Sequence, residues 1–150
     1  MQPARALVTI LALSVTTLAA ADAFVGTWKL NSTKSQTSSG RAAQASTMTF
    51  EATTDGYRVV STGLKEPLRI RFGKEYRVPN QGIAAQVGAE TGSGRRINES
   101  AIETTFKRGG DTVATLVREV SADGRVMTTT ASGVTTKGEK FKSVLVYEKQ

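Results

Sequence analysis

Hydrophobic and polar residues alternate in short runs along most of this chain, with turn-forming residues between the runs. The clearest run alternates Leu68, Ile70 and Phe72 with two arginines, and Met48 and Phe50 alternate with polar residues in the same way. A period of two is typical of a β-strand with one face buried. The pattern therefore predicts short strands along most of the chain.

Turn signals separate these runs at the spacing expected of an all-β domain. Asp55-Gly56 predicts a tight hairpin, and glycine-containing turns follow at 108–111 and 122–124. We count about ten strands and no amphipathic helix; residues 79–94 are predicted to form a loop or a short edge strand. Short connections favour an antiparallel up-and-down meander, and closing it into a barrel removes its exposed edges. We therefore predict an all-β barrel of about 8–10 strands.

The first residues resemble an export leader. An arginine precedes an apolar run at 6–18, and the small residues at 21–23 or at 19–21 fit a cleavage site. The run is shorter than the ~20 apolar residues that span a bilayer, and no cysteine follows that could carry a lipid. We predict a signal peptide at 1–23, a barrel domain at 24–150, and a secreted or periplasmic protein that does not span the membrane.

The absence of histidine and cysteine limits the possible chemistry. It excludes Ser-His-Asp and Cys-His catalysis and the usual zinc sites. Glu99 and Glu103 are the best carboxylate pair, but neither lies in an apolar run that would raise its pKa. We therefore predict a protein that is not an enzyme, with no catalytic residue, metal site or cofactor.

The chain is basic, with a formal net charge of +7. A basic chain can bind nucleic acid or an anionic surface. Here the basic residues are scattered, aromatic residues make up only 6%, and the longest arginine run is Arg95-Arg96. This distribution favours a solubilising surface and predicts no nucleic-acid partner.

The only tryptophan lies in the first predicted strand, in Gly26-Thr27-Trp28. Trp28 is large enough to plug one end of a small barrel, and Gly26 would let another backbone approach closely. The alternative is a single core tryptophan beside a strand glycine.

Both ends of the barrel domain resemble known families. Ala-Phe-Val-Gly-Thr-Trp-Lys-Leu at 23–30 resembles the opening of intracellular fatty-acid-binding proteins and includes the Gly-x-Trp signature of lipocalins. The final strand at 144–149 resembles the fatty-acid-binding closing strand. The chain is also similar to small secreted bacterial lipocalin-like proteins of uncharacterised function, with Gly-Thr-Trp-Lys-Leu-Asn-x-x-Lys-Ser at 26–35 and Val-Tyr-Glu-Lys at 146–149. The resemblance implies a barrel that encloses a ligand.

One part of the chain departs from the fatty-acid-binding pattern. Those proteins place a helical lid where this chain has residues 32–46, which are rich in serine, threonine and glutamine. Only residues 41–45 could form a turn of helix, and so short a piece is marginal. We therefore predict a loop and no helical lid here.

The resemblance also implies a polar anchor for the ligand. Arg118 matches the position of one pocket arginine of fatty-acid-binding proteins, and an arginine inside a barrel can bind a carboxylate. Their second arginine corresponds to Leu145 here, whereas their closing tyrosine is kept as Tyr147. The alternative is an outward Arg118 paired with Glu119 or Glu103.

These observations predict a secreted protein that binds a small apolar or amphipathic molecule inside the barrel. The alternative is a barrel filled by its own side chains that acts as a structural or protein-interaction module, with no protein partner identified by the sequence. The predicted lining residues, with Arg118 as anchor, are Met48, Phe50, Ile70, Phe72, Leu116 and Tyr147.

Overall fold

The computed structural model of the protein describes residues 20–38 and 46–150. This part of the chain forms ten strands and one short helix, which confirms the predicted all-β fold. The elements in chain order are β1 (Gly26–Leu30), β2 (Thr47–Thr53), β3 (Gly56–Ser61), β4 (Leu68–Arg71), β5 (Glu75–Arg77), α1 (Gly82–Val87), β6 (Thr91–Asn98), β7 (Ala101–Arg108), β8 (Asp111–Val120), β9 (Val126–Val134) and β10 (Lys140–Lys149).

The strands form one antiparallel sheet that curls into a nearly closed barrel. Its order is β4-β3-β2-β1-β10-β9-β8-β7-β6-β5. The first and last strands pair, with Trp28 opposite Lys149. All other pairs join strands that are consecutive in the chain, as the predicted meander requires.

The two edge strands, β4 and β5, meet at a seam where they do not pair with each other. At one end of the seam, Phe72 and Gly94 form an isolated bridge. At the other end, the Gln81 amide oxygen accepts a hydrogen bond from the backbone of Lys65 at 2.9 Å, and its Nε2 donates to the Glu66 carbonyl at 2.7 Å. The Gln81 side chain thus links the chain after β5 to the chain before β4.

Gly94 allows the barrel to close tightly at this bridge. A β-carbon at this position would lie 2.8 Å from the backbone carbonyl oxygen of Arg71. Because the contact is with backbone, neither partner could easily move aside. A side chain at position 94 would therefore force β4 and β6 apart.

One end of the barrel is filled by an apolar group that we call the Trp28 cluster. Trp28 is fully buried, and its indole N–H donates to the carbonyl oxygen of Phe24 at 2.8 Å. The rings of Phe24, Phe50 and Tyr57 lie 5.7–6.2 Å apart. The buried members are Phe24, Trp28, Leu30, Phe50, Tyr57, Val59, Ile70, Ile102, Val120, Met127 and Tyr147.

Gly26 has a positive φ of 129°, which L-residues rarely adopt. A β-carbon added at Gly26 would lie 2.9 Å from its nearest neighbour, Cε of Lys149. A flexible lysine side chain therefore packs here, whereas we expected another backbone. The ammonium group of Lys149 lies 5.1 Å from the Trp28 ring centroid, so it covers the tryptophan from the solvent side.

Helix α1 covers the opposite end of the barrel. Ala84 and Val87 are buried against a second cluster that includes Phe106 and Leu116. The helix ends at Gly88, which is in the left-handed conformation. The sequence predicted a loop or an edge strand here, because six residues are too few to reveal a helical period. The helix forms because tertiary packing buries its small apolar face.

Two predictions fall on parts of the chain outside the described residues. They are most of the predicted leader, at 1–19, and the possible helical turn at 41–45. Within 20–38 and 46–150, no helix is long and apolar enough to cross a membrane.

Candidate ligand-binding site

A cavity of about 230 Å³ lies inside the barrel beneath α1. Strands β8, β9 and β10 form its walls, and Met48 of β2 borders it. Ile83 and Gln86 of α1 form its cover. The cavity therefore lies between the Trp28 cluster and the helix.

Arg118 projects from β8 into this interior. Its side chain is only 7% exposed, and Nη1 donates a hydrogen bond to Thr104 Oγ1 at 3.1 Å. The guanidinium lies 6.0 Å from the Phe50 ring centroid. Its Nε is buried and has no hydrogen-bond partner among the described residues. Arg118 thus has an unused donor inside the barrel.

The charge of Arg118 is not balanced by a buried acid. Within the described ranges it is the only buried charged residue. Burial lowers its pKa, and Tyr147 and Tyr76 oppose this effect. Arginine nevertheless starts from a pKa far above neutrality, so the group remains a cation. A buried cation without a counterion is costly, and an entering anion would reduce that cost.

Thr129 lies directly opposite Arg118 on the neighbouring strand β9. It is 4% exposed, and its Oγ1 also has no partner among the described residues. On the next strand, Leu145 lies opposite Thr129, and all three residues border the cavity. The cavity wall therefore holds two unsatisfied polar atoms on adjacent strands.

Thr129 was not predicted from the sequence because it lies in the run Thr128-Thr129-Thr130. Three identical residues carry no period, so the run does not show which hydroxyl points inward. The flanking Met127 and Ala131 are buried and share its face. Their positions two residues away on either side are the signal that could have identified it.

Two tyrosines complete the polar surroundings of Arg118. Burial raises the pKa of Tyr147, whose side chain hydrogen-bonds to that of Ser46. Burial also raises the pKa of Tyr76 on β5. Both phenols therefore stay neutral near physiological pH and do not supply the missing negative charge.

A second, smaller cavity lies at the seam and also borders Arg118. Its volume is about 20 Å³, enough for about one water molecule. Ile70 and Tyr76 line it from the two sides of the seam. Arg118 thus lies between the cavity under α1 and the smaller one at the seam.

The structure brings together most of the predicted lining residues. Met48, Leu116, Tyr147 and Arg118 border the cavity under α1, and Ile70 borders the one at the seam. Their roles in binding stay predictions.

Two predicted residues lie elsewhere. Phe50 packs in the Trp28 cluster, with its ring facing the Arg118 guanidinium. Phe72 lies at the seam, against Tyr57 and Arg96, and borders neither cavity.

The outward alternative for Arg118 does not match its position. Glu103 instead pairs with Arg95, and the distance between Arg95 Nη2 and Glu103 Oε1 is 3.0 Å. Glu119 is exposed. Glu99 is also exposed. In the part of the chain that the structure describes, no three acidic side chains cluster where they could hold a metal ion.

A comparison with one solved structure supports this fold. The sequence matches no family model and no curated protein. Its structure is similar to the crystal structure of zebrafish ileal bile acid-binding protein complexed with cholic acid, with a TM-score of 0.58 and 12% identity over 85% of this chain and 99% of that one. It is also similar to As-p18, an extracellular fatty acid binding protein, with a TM-score of 0.49 and 15% identity over 86% of this chain and 97% of that one. At 12% identity the likeness to the zebrafish protein shows the fold alone.

Proposed function

We propose that this protein binds a small amphipathic molecule inside its barrel, with a carboxylate or similar anionic group held by Arg118. The apolar part of the ligand would lie against Met48, Leu116 and Leu145. Burial of apolar surface would drive binding at ~25 cal/mol per Å². The polar contacts would set the orientation.

The observation that carries this proposal is the buried, uncompensated charge of Arg118. A filled core does not need such a residue, because an apolar side chain of similar size would usually be as stable or more stable there. An anionic ligand would supply both the missing charge and an acceptor for Nε. Charge-assisted hydrogen bonds of this kind are roughly twice as strong as neutral ones.

The size of the cavity limits the ligand. A volume of about 230 Å³ is below the ~300–1,000 Å³ typical of small-molecule sites. The cavity therefore suits a compact ligand, or the head of a longer one whose tail passes α1. Thr129, which lines the same cavity, would give such a head a second hydrogen bond.

The alternative function is a filled barrel that serves as a structural or protein-interaction module. The two apolar clusters occupy both ends of the interior, which favours this alternative. A filled barrel does not explain why a charged residue is buried at position 118, so we rank this function second.

The test is a titration with a fluorescent fatty-acid analogue. Arg118→Ala should weaken binding by about 1.5–3 kcal/mol, the range for hydrogen bonds to charged groups. Arg95→Ala is the matched control, since it removes an exposed arginine on β6 and should leave the affinity unchanged. A neutral analogue with an alcohol head should lose clearly less affinity on Arg118→Ala, because it carries no negative charge to pair with the guanidinium.

Absence of binding, or equal affinity of the fatty-acid analogue for wild type and Arg118→Ala, would reject the carrier function and favour the filled module. Native mass spectrometry of protein from its own host provides an independent check. A co-purifying small molecule supports the carrier, whereas a co-purifying protein supports the module.

We further propose that the protein is exported and acts outside the cytoplasm. This rests on the leader pattern in the sequence and on the small residues that precede β1.

A further inference from the structure

Asp22 begins the turn that leads the chain into β1. The amide N–H of Phe24 donates to Asp22 Oδ1 at 3.0 Å, and the amide of Val25 donates to the Asp22 carbonyl at 3.3 Å. Aspartate is favoured at the first position of such turns because its side chain accepts a hydrogen bond from the backbone two residues on. Asp22 therefore fixes the direction in which the chain enters the barrel.

The same carboxylate accepts a hydrogen bond from a buried tyrosine. The Tyr57 hydroxyl lies 2.8 Å and 2.7 Å from the two Asp22 oxygens, and the Tyr57 side chain is 1% exposed. Burial, followed by the hydrogen bond to Asp22, raises the pKa of Tyr57 to about 12. The hydroxyl is thus a permanent donor that needs an acceptor at this position.

Arg96 of β6 completes the group. Its guanidinium donates to the Tyr57 hydroxyl and lies 3.5 Å from Asp22 Oδ2. It also stacks over the rings of Tyr57 and Phe72, at 5.6 Å and 5.3 Å from their centroids. Asp22 supplies the negative charge of this group and links the start of β1 to β3 and β6.

The two predicted cleavage sites differ in what they do to this group. Cleavage after Ala23 would remove Asp22, and with it the first residue of the turn and the carboxylate shared by Tyr57 and Arg96. Cleavage after Ala21 would keep all of these contacts and remove Ala20 and Ala21, which are exposed. A buried donor such as the Tyr57 hydroxyl is costly to leave without its acceptor. The folded protein therefore needs the form that begins at Asp22.

We infer that the leader is cut between Ala21 and Asp22, and that Asp22 is the first residue of the mature protein. This places the processing site two residues before the domain boundary expected from the sequence. It rests on the predicted leader and is independent of the proposed ligand.

The experiment expresses the full 150-residue chain in a bacterial host and determines the N-terminus of the exported protein by sequencing and intact mass. A start at Asp22 supports the inference. A start at Phe24, at any other residue, or at an uncut Met1 overturns it.

Two matched variants identify the recognised residues. Ala19→Gln removes a small residue from the triplet 19–21 only, and Ala23→Gln removes one from the triplet 21–23 only. We expect Ala19→Gln to abolish the start at Asp22 and Ala23→Gln to leave it unchanged. The opposite result overturns the inference.

A second measurement tests whether Asp22 belongs to the fold. Asp22→Asn keeps an oxygen for the turn but removes the charge, so exported Asp22→Asn should unfold at a lower urea concentration than wild type. In a Tyr57→Phe background the same substitution should have a clearly smaller effect. Equal losses in both backgrounds would overturn the role of the Asp22–Tyr57 pair.

Discussion

Arg118 and Thr129 lie directly opposite each other on β8 and β9, and each has a buried polar atom with no partner among the described residues. The two residues belong to adjacent, paired strands, so the backbone fixes the spacing of their α-carbons. A ligand head that accepts a hydrogen bond from both would be held in one orientation.

Thr129→Val should weaken binding of the fatty-acid analogue by about 0.5–1.5 kcal/mol, the net value of one hydrogen bond. The substitution keeps the side-chain shape and removes only the hydroxyl. Thr130→Val is the control, because the adjacent residue on a strand faces the other side of the sheet. Equal affinities of the two variants would show that Thr129 does not contact the ligand.

Leu145→Arg should strengthen binding of the same analogue, since it adds a second cation to the row formed by Arg118 and Thr129. It should also destabilise the empty barrel, because two buried guanidinium groups repel each other. Leu145→Met controls for the change in side-chain shape. Weaker binding by Leu145→Arg than by Leu145→Met would contradict this prediction.

Trp28→Ala should lower the free energy of unfolding by about 3–5 kcal/mol, as for other large-to-small substitutions in a core. Trp28 is fully buried, and its N–H is bonded to Phe24. Val60→Ala is the control, because Val60 is 39% exposed. Urea unfolding measures the free energy of unfolding of both variants. A loss below about 1 kcal/mol is usual for surface substitutions. A loss that small for Trp28→Ala would show that Trp28 does not stabilise the barrel.

The ionisation of Asp55 should make part of the free energy of unfolding depend on pH. Hydrogen bonds from Arg71 and then Lys74 lower its pKa from 3.8 to about 2, with Oδ2 at 2.8 Å and 3.0 Å from the two nitrogens. A carboxyl with a lowered pKa in the folded state stabilises it above the unfolded pKa and loses this effect as the pH falls. The contribution should therefore be complete above pH 3.8 and disappear towards pH 2.

Urea unfolding of wild type and Asp55→Asn between pH 6 and pH 2 measures this contribution. The difference between the two proteins should be constant at the higher pH values and shrink below about pH 4, where the unfolded carboxyl gains its proton. Glu119→Gln controls for net charge, because it also removes one negative charge, from an exposed side chain. A difference that does not shrink in acid would contradict the role of Asp55.

The strand pattern was predictable because it depends on local signals. Asp55-Gly56 identified the hairpin that joins β2 (Thr47–Thr53) to β3 (Gly56–Ser61). Period-two alternation identified β4, and glycine-rich turns identified the later hairpins. Each signal lies within a few residues of the element that it predicts.

The site was less predictable because it depends on register and on distant contacts. Strand β8 has apolar residues on both faces, with Leu116 buried and Val117 half-buried. Its sequence pattern therefore did not show whether Arg118 points into the barrel or outward. Asp22 and Tyr57 are 35 positions apart, and no local pattern brings them together. Helix α1 was missed because six residues are shorter than two turns of helix.

The seam has a consequence for how copies of the protein behave in concentrated solution. An open barrel exposes two strand edges, and unpaired edges are templates for strand addition and aggregation. Here the edges are only four and three residues long and carry charged side chains, including Arg69 and Glu75. The Gln81 side chain also occupies backbone groups of Lys65 and Glu66 that another chain would otherwise pair with. The barrel can therefore leave its sheet unclosed and still resist polymerisation.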